Sequence, residues 1–176
     1  MQDIFNEQLV KRNGGLQTEI YKALIIGGGF LLMALLFFLN LTILSGFGIL
    51  MLPLVFLVPF LVYALIKMLS LEYEYIVTNE FMDIDQIRAK KKRQRLISFD
   101  ISAINGIGIY KPGEIDKNKF KSVFDASKYI TDEDIWYLTL NTQKTGNTLI
   151  LLSPNEKILA GIKTRLSRDL RSKIPE

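Results

Sequence analysis

The chain has 176 residues, of which 49% are hydrophobic and 23% are charged, with a formal net charge of +4. It contains neither cysteine nor histidine, which excludes disulfides, thiolate and imidazole metal sites, cysteine nucleophiles and Ser-His-Asp catalysis. All 22 Lys/Arg and all 18 Asp/Glu lie outside the uncharged block Ala23–Ile66. A plain soluble globular protein is therefore excluded.

The first 21 residues are predicted to form an amphipathic or irregular segment that leads into the uncharged block. Their apolar positions are scattered, and Asn13-Gly14-Gly15 is expected to interrupt any helix. The segment is a weak candidate for lying on a membrane surface.

The uncharged block is predicted to be a transmembrane helical hairpin over residues 22–67. A bilayer core of about 30 Å needs about 20 apolar residues in a helix, so 44 uncharged residues suit two spans better than one. Polar and glycine residues between Asn40 and Gly48 indicate the turn, which gives spans at about 22–43 and 48–67. The apolar run is too long, and begins too late, for a typical cleaved signal peptide. The glycine run Gly27–Gly29 is expected to let the two spans of one chain pack together.

Residues 68–176 are the size of one domain and show strand-like alternation of apolar and polar residues. Seven antiparallel strands are predicted, at about 73–78, 82–85, 97–102, 107–110, 120–124, 136–141 and 149–152. The last of these is a continuous apolar run, which is typical of a buried strand.

The apolar period then changes from two to about 3.6 residues, which predicts a C-terminal helix over 154–173. Ser153 is the predicted N-cap, Pro154 the first helical residue, and Glu156 the partner in a capping box. Leu159, Ile162, Leu166 and Leu170 form one apolar stripe, which is expected to close one end of the bent sheet.

Seven short strands followed by one amphipathic helix resemble the pleckstrin-homology (PH) superfold. The strand Tyr73–Asn79, with its Tyr75-x-x-Thr78 pattern, is similar to bacterial PH-like domains that follow a pair of membrane spans. The whole chain, with Asp3–Glu7 near its start, resembles a family of small uncharacterised bacterial membrane proteins. The resemblance implies an α+β membrane protein: a two-helix transmembrane hairpin, then a seven-stranded antiparallel PH-like sandwich or barrel capped by the helix. It carries over no catalytic residue.

Orientation in the membrane follows from the distribution of Lys and Arg. Lys11, Arg12 and Lys22 precede the first span, and Lys67 ends the second, whereas the turn between the spans carries no charge. The positive-inside rule then places both termini in the cytoplasm. Together with the bacterial resemblance, this predicts a multi-pass protein of the bacterial inner membrane.

No catalytic constellation is recognisable, and no cofactor or metal site is predicted. Asp83 and Asp85 share one face of a strand and are interpreted as its solvated side. The cluster 132–134 lacks the spacing of a calcium loop. Gly106-Ile107-Gly108 alone is a very weak phosphate-loop signal, since no helix follows it, and the two glycines mark bulge sites instead. The protein is therefore not expected to be an enzyme.

The strongest local signal is a run of six cations in eight residues: Arg88, Lys90, Lys91, Lys92, Arg93 and Arg95. Basic segments close to a membrane attract anionic phospholipid headgroups. The alternatives are a solvated hairpin turn and a nucleic-acid site, the latter disfavoured because aromatic residues do not interleave with the run.

Chain topology favours the lipid interpretation of this run. If the first strand leads away from the membrane and the strands form an up-and-down meander, alternate connections face the membrane. Residues 90–93, 111–119 and 144 then lie near it, whereas 79–80, 100–102 and 132–134 lie far from it. The near set is mostly basic and the far set mostly acidic.

We therefore expect a membrane-anchored binding or scaffolding protein, not an enzyme, whose PH-like domain is held against anionic lipid. The alternative is a subunit of a membrane complex whose β domain binds a membrane-protein partner. A transporter accessory is less consistent with the spans, because no Asp, Glu, Lys or Arg lies between Lys22 and Lys67.

Overall fold

A computed structural model describes residues 5–42, 48–128 and 135–174. The chain divides into two compact units, one comprising Met1–Asn13 with Leu71–Glu176 and the other Gly14–Ser70. The helices and strands, in chain order, are β1 (Phe5–Lys11), α1 (Gly15–Thr42), α2 (Gly48–Met68), β2 (Leu71–Thr78), β3 (Phe81–Arg88), β4 (Lys92–Asp100), β5 (Ile104–Ile109), β6 (Ser122–Asp125), β7 (Trp136–Thr142), β8 (Gly146–Leu152), α3 (Glu156–Lys163) and α4 (Arg168–Arg171).

The helical unit consists of α1 and α2. Within the described residues, Gly15–Leu41 is the one helical stretch long and apolar enough to cross a membrane; Pro53–Met68 is a shorter apolar stretch. A helix of the length and composition predicted for the first span is thus observed, whereas the second span stays a prediction. A Cβ on Gly29 would lie 2.4 Å from Val62 Cγ2, so this glycine is needed for close packing of the two helices. Gly27 and Gly28 have no such neighbour.

The prediction of an amphipathic or irregular N-terminal segment is wrong for Phe5–Lys11. These residues form β1, which pairs antiparallel with β2 from Phe5↔Thr78 to Lys11↔Glu72. The inward side chain of Val10 is buried, and Gln8 bonds the backbone of residues 153 and 155. The strand was hidden because its partner follows the apolar block in sequence.

The first sheet has the order β1-β2-β3-β4, and every pair in it is antiparallel. Its inner face follows the predicted alternation: Tyr73, Tyr75, Val77, Met82 and Ile84 are all buried in the main core. The pairing of β3 with β4 shifts register between Ile84 and Asp85, where Leu96 of β4 is the extra residue of a β-bulge.

The second sheet has the order β5-β7-β8-β6. The prediction of an entirely antiparallel meander is wrong here, because β6 pairs parallel with β8 from Ser122↔Thr148 to Asp125↔Leu151. The described chain contains eight strands, not seven, since β1 adds one. The predicted PH-like arrangement of sheets with a C-terminal helix is otherwise observed.

The predicted helix over 154–173 is two helices, α3 and α4, separated by a turn. The predicted cap is also wrong: Asn155, not Ser153, is the N-cap, and its side chain accepts a hydrogen bond from Ile158 N at 2.9 Å. The apolar stripe is confirmed as part of the core, with Ile162, Leu166 and Leu170 buried and Leu159 packed at the margin. Leu166 lies in the turn between the helices, and its side chain stays buried in the core although the chain bends there.

Candidate functional site

The basic run extends from the end of β3 through the turn into the start of β4. Ala89 and Lys90 adopt left-handed backbone angles, with φ of 53° and 56°, and Lys91 N donates to Arg88 O at 3.1 Å. Two consecutive left-handed residues suit the twist of a tight hairpin. Lys90, Lys91 and Lys92 are exposed. No ion pair joins these three ammonium groups to any described residue. We call Lys90–Lys92 the lysine turn.

Strand register fixes the position of the lysine turn in the first sheet. β1 ends at Lys11, just before α1, and β2 begins at Leu71, just after α2. Lys11 pairs with Glu72, while Leu71 pairs with Arg88, which in turn pairs with Lys92. The lysine turn therefore lies at the end of the sheet from which both chain links to the helices leave. We call this the helix-linked end, and the opposite end, at Thr78–Phe81, the distal end.

The arginines of the run are held against the sheet, unlike the lysines. Arg93 pairs with the buried carboxylate of Glu74, with Nη2 2.6 Å from Oε2 and 2.7 Å from Oε1. Arg95 pairs with Asp85 at 2.9 Å and with Asp83 at 3.0 Å. Arg88 donates from Nε to the side chain of Gln86 at 3.2 Å. The six predicted lipid-contact residues thus separate into three exposed lysines and three arginines that bond acidic or amide side chains.

The interpretation of Asp83 and Asp85 as a simple solvated face is wrong for Asp85. Asp85 is 3% exposed and is neutralised by Arg95, and its neighbour in register on β2 is Glu74, also 3% exposed. Burial of charged carboxylates is tolerated where guanidinium groups pair with them. The outer face of the first sheet is therefore a network of ion pairs beneath exposed arginine side chains.

Glu74 has an incomplete set of hydrogen bonds. Both of its oxygens share the single Nη2 of Arg93, and Oε2 accepts no hydrogen bond of full geometry among the described residues. Burial raises the pKa of Glu74, and the neighbouring Glu7 carboxyl raises it further; Arg93 acts in the opposite direction.

A second polar cluster, which no sequence pattern predicted, lies at the helix-linked end. Arg12 donates to Tyr73 Oη at 3.0 Å. It also donates to the backbone carbonyl and to the carboxylate of Asp125, each at 2.8 Å. Arg12 N also donates to Leu71 O, and Asn13 N to Lys128 O, each at 2.9 Å. Arg12 thereby joins the two chain links to the end of β6. In the sequence, Arg12 is recognisable only as a basic residue before an apolar block. The positive-inside rule explains such a residue without any contact to Asp125 or Tyr73.

The predicted segregation of basic and acidic connections holds only in the first sheet. There the lysine turn and the link at Asp100 lie at opposite ends, as expected, because Phe81 pairs with Asp100. In the second sheet β5 ends beside the start of β7, at Ile109↔Trp136, so connections expected on opposite sides leave from one end. Arg165 also lies 3.6 Å from Glu80 at the distal end, which places a basic residue there.

The remaining sequence candidates have structural explanations or lie outside the described residues. Gly106 and Gly108 lie within β5, next to a register shift, where a Cβ would meet Thr139 and the Tyr137 ring at 2.6 and 3.0 Å. These glycines therefore make room for side chains of β7 instead of forming a phosphate loop. The acidic cluster 132–134 lies outside the described residues. Within the described ranges, no group of three or more acidic residues has the geometry to hold a metal ion.

Comparison with known proteins gives one result at the level of the family. The model of the bacterial PH-like domain family (DUF6106) matches residues 2–172, which includes both helices as well as the two sheets. Curated proteins and solved structures return no match. Since the match covers nearly the whole chain and the fold has two sheets with a C-terminal helix, this chain belongs to the bacterial PH-like domain family DUF6106.

Proposed function

We propose that this protein is a membrane-anchored, non-enzymatic binding module whose lysine turn rests on anionic phospholipid headgroups. The supporting observation is the register of the first sheet: three exposed lysines, which form no ion pair with any residue of the described ranges, lie at the helix-linked end. The chain leaves this end at Asn13 and returns to it at Leu71, so the turn lies beside the attachment points of the anchor.

Strand pairing also supports two membrane spans. β1 precedes α1 and β2 follows α2, yet the two strands are hydrogen-bonded along seven residue pairs. Hydrogen-bonded strands cannot lie on opposite sides of a bilayer. If α1 crosses, the chain must therefore cross again before Leu71. The second helix, Gly48–Met68, has 21 residues and extends over about 31 Å at ~1.5 Å per residue, enough for the return.

The same argument constrains both termini to one side of the membrane. The Lys and Arg residues flank the uncharged block on its outer sides, and none lies between the two helices. The positive-inside rule then selects the cytoplasm. Both the sheets and the lysine turn would face the cytoplasmic leaflet, which carries the anionic lipids.

The expected strength of this contact is modest. A Lys near an anionic surface contributes about 1 kcal/mol, and screening reduces this over about 8–10 Å at physiological salt. Three lysines would not retain a soluble protein on a membrane for long. They suffice to orient a domain that the helices already anchor.

A topology experiment tests the two-span arrangement. Reporters active only in the cytoplasm, fused before Met1 and after Glu176, are both expected to be active. In the linker between α1 and α2, a reporter that works only in the periplasm is expected to be active, and one that works only in the cytoplasm is expected to be inactive. Cytoplasmic activity at that linker together with activity at both ends would contradict the second span.

The lipid contact is tested on the full chain in nanodiscs. Since the protein has no cysteine, a single Gln94→Cys change gives one site for an environment-sensitive fluorophore. Gln94 is exposed, near the lysine turn, and its side chain alternates away from Arg93. Probe emission is expected to shift on replacing neutral lipid with phosphatidylglycerol. Changing Lys90, Lys91 and Lys92 to Gln is expected to abolish this shift.

The matched control carries the probe at Thr78→Cys. Thr78 is exposed at the distal end of β2, about 23 Å along the strand from Leu71 at ~3.3 Å per residue. The distal probe is expected to report no change between neutral and anionic nanodiscs. An equal response of the Gln94 probe before and after removal of the three lysines, in proteins of unchanged melting temperature, would refute the lipid contact.

A second function, binding of a protein partner, is supported by exposed aromatic residues at the distal end. Phe5 and Phe81 are 64% and 55% exposed, and both are register partners of Thr78, so they share one face. Exposed phenylalanines on both sides of Thr78 make this end of the face apolar, and exposed apolar patches often mark protein-binding surfaces. Changing both to Ser should leave lipid contact intact and reduce recovery of a membrane-protein partner after cross-linking in native membranes.

A further inference from the structure

The ion pair between Arg93 and Glu74 connects the lysine turn to a buried acid. Arg93 is the residue next to Lys92, and its side chain is 55% exposed, whereas that of Glu74 is 4% exposed. One partner is therefore free to move into solvent and the other is not. If the pair opens, the guanidinium adds a fourth mobile cation to the lysine turn.

We propose that Glu74 controls this fourth cation. When the buried carboxylate takes up a proton, Arg93 is released towards the leaflet, and the contact of the lysine turn with the anionic headgroups strengthens. This inference rests on the proposed lipid contact and adds its regulation by proton concentration. The proton itself goes to a carboxylate oxygen of Glu74, and no other bond is made or broken.

The geometry around Glu74 favours the neutral form. Two carboxylate oxygens share one Nη2 donor, so the ionised group is poorly solvated by the protein. Its surroundings are also rich in acid: the carboxyls of Glu7 on β1 and Asp85 on β3 lie near Glu74. Arg93 pairs with Glu74, whereas Arg95 pairs with Asp85 and Asp83. The charged groups on this face of the sheet are Glu7 and Lys11 on β1, Glu72 on β2, Asp83 and Asp85 on β3, and Arg93 and Arg95 on β4.

The direction of the response follows from the pKa of Glu74, which lies above its ordinary value of 4.5 because of burial and the neighbouring Glu7 carboxyl. Above this raised pKa Glu74 is ionised and holds Arg93. As pH falls through the raised pKa, the proton removes the charge that holds the guanidinium. Acidification therefore strengthens the contact.

The experiment uses the full chain with the Gln94→Cys probe in phosphatidylglycerol nanodiscs, titrated from about pH 7.5 to about pH 5. The phosphodiester stays ionised over this range. The ratio of protein whose lysine turn contacts lipid to protein whose lysine turn does not is expected to rise about five-fold on acidification. This factor corresponds to ~1 kcal/mol for one added cation. Glu74→Gln, which is permanently neutral, is expected to show the acidic level at every pH.

Two arginine variants separate charge release from a structural effect. Arg93→Gln is expected to keep the contact of the three lysines and lose the response to pH. Arg93→Lys, which retains the cation, is expected to restore the response. Glu72→Gln is the matched control, because Glu72 is a buried carboxyl on the same face of the same strand without an ion pair in the described chain. It is expected to titrate like the unmodified protein.

Folding of Glu74→Gln is checked by its stability against pH. An acid whose folded pKa is raised binds more protons in the native state than in the unfolded one, so stability falls as pH rises through that window. Glu74→Gln removes this fall and should melt no lower than the unmodified protein at about pH 7.5. A lower melting temperature of this variant at that pH would contradict the claim that the surroundings of Glu74 favour its uncharged form.

The outcomes separate the two proposals. Contact that depends on the lysine turn but not on pH, or a pH response that survives in Glu74→Gln or Arg93→Gln, would refute the control by Glu74 and leave the lipid contact standing. Absence of contact with phosphatidylglycerol at every pH would refute both.

Discussion

A fragment comprising residues 71–176 alone is expected to be unfolded or severely destabilised, although it contains seven of the eight described strands. It lacks β1, which pairs with β2 along its whole length and buries Val10. It also lacks Arg12, leaving the Asp125 carboxylate and Tyr73 hydroxyl without this partner. With net hydrogen bonds worth about 1 kcal/mol each and a buried Val worth about 1.5–3 kcal/mol, the loss amounts to at least about 5 kcal/mol.

The matched protein restores β1 without the helices. Arg12 N lies 2.9 Å from Leu71 O, so a linker of about four Gly/Ser residues can replace Gly14–Ser70. This linked protein is expected to show one cooperative thermal transition, whereas the fragment alone is expected to show none. Equal melting of the two would mean that β1 contributes little, and the argument from strand pairing to two spans would lose its support.

The strands after the helices were predictable because one face of each is buried. Alternation at Tyr73, Tyr75 and Val77 reports a two-residue period that a single strand displays by itself. β1 has the same alternation in weaker form, with Asn6 and Gln8 as inward polar residues that bond the backbone near α3. No local pattern identifies such residues as buried, because their partners lie about 150 positions away.

The basic run was recognisable from composition, but its division into two roles was not. Which cations bond carboxylates depends on the register of β2, β3 and β4, including the bulge at Ile84/Asp85. The chemistry of the side chains is consistent with the division: Arg93 and Arg95 hold buried carboxylates, as guanidinium groups do well, and the exposed turn carries lysines. The cap of α3 was misassigned by two residues for a similar reason, since Ser153 and Asn155 are both good caps locally.

The parallel pairing of β6 with β8 could not be predicted from alternation, which is the same for parallel and antiparallel strands. It requires knowledge that the chain from Ile109 to Ser122 passes from one edge of the sheet to the other, and from one end to the other, instead of turning tightly. The assumption of an up-and-down meander failed at this point. The charge segregation built on that assumption therefore survives only between the two ends of the first sheet.

Replacing Leu166 with Ala is expected to lower the free energy of unfolding by about 2–5 kcal/mol, the usual range for a buried Leu. Leu166 is 2% exposed and belongs to the main core, in which residues of both sheets pack with those of α3 and α4. Its backbone N donates to Ile162 O at 3.3 Å and its carbonyl accepts from Arg171 Nε at 2.8 Å. The surrounding turn is thus fixed and is not free to collapse into the space that the side chain leaves.

Leu159→Ala is the matched control, because Leu159 is of the same type but lies at the margin of that core. Its cost is expected to be below that of Leu166, since half-buried side chains leave smaller cavities. Chemical denaturation of the linked protein of β1 and residues 71–176 measures both. A cost for Leu166→Ala below about 0.5 kcal/mol, typical of a surface position, would show that the stripe does not close the core. The apolar side chains of α3 and α4 would then be available to a partner, and the site of protein binding would move from Phe5 and Phe81 to this surface.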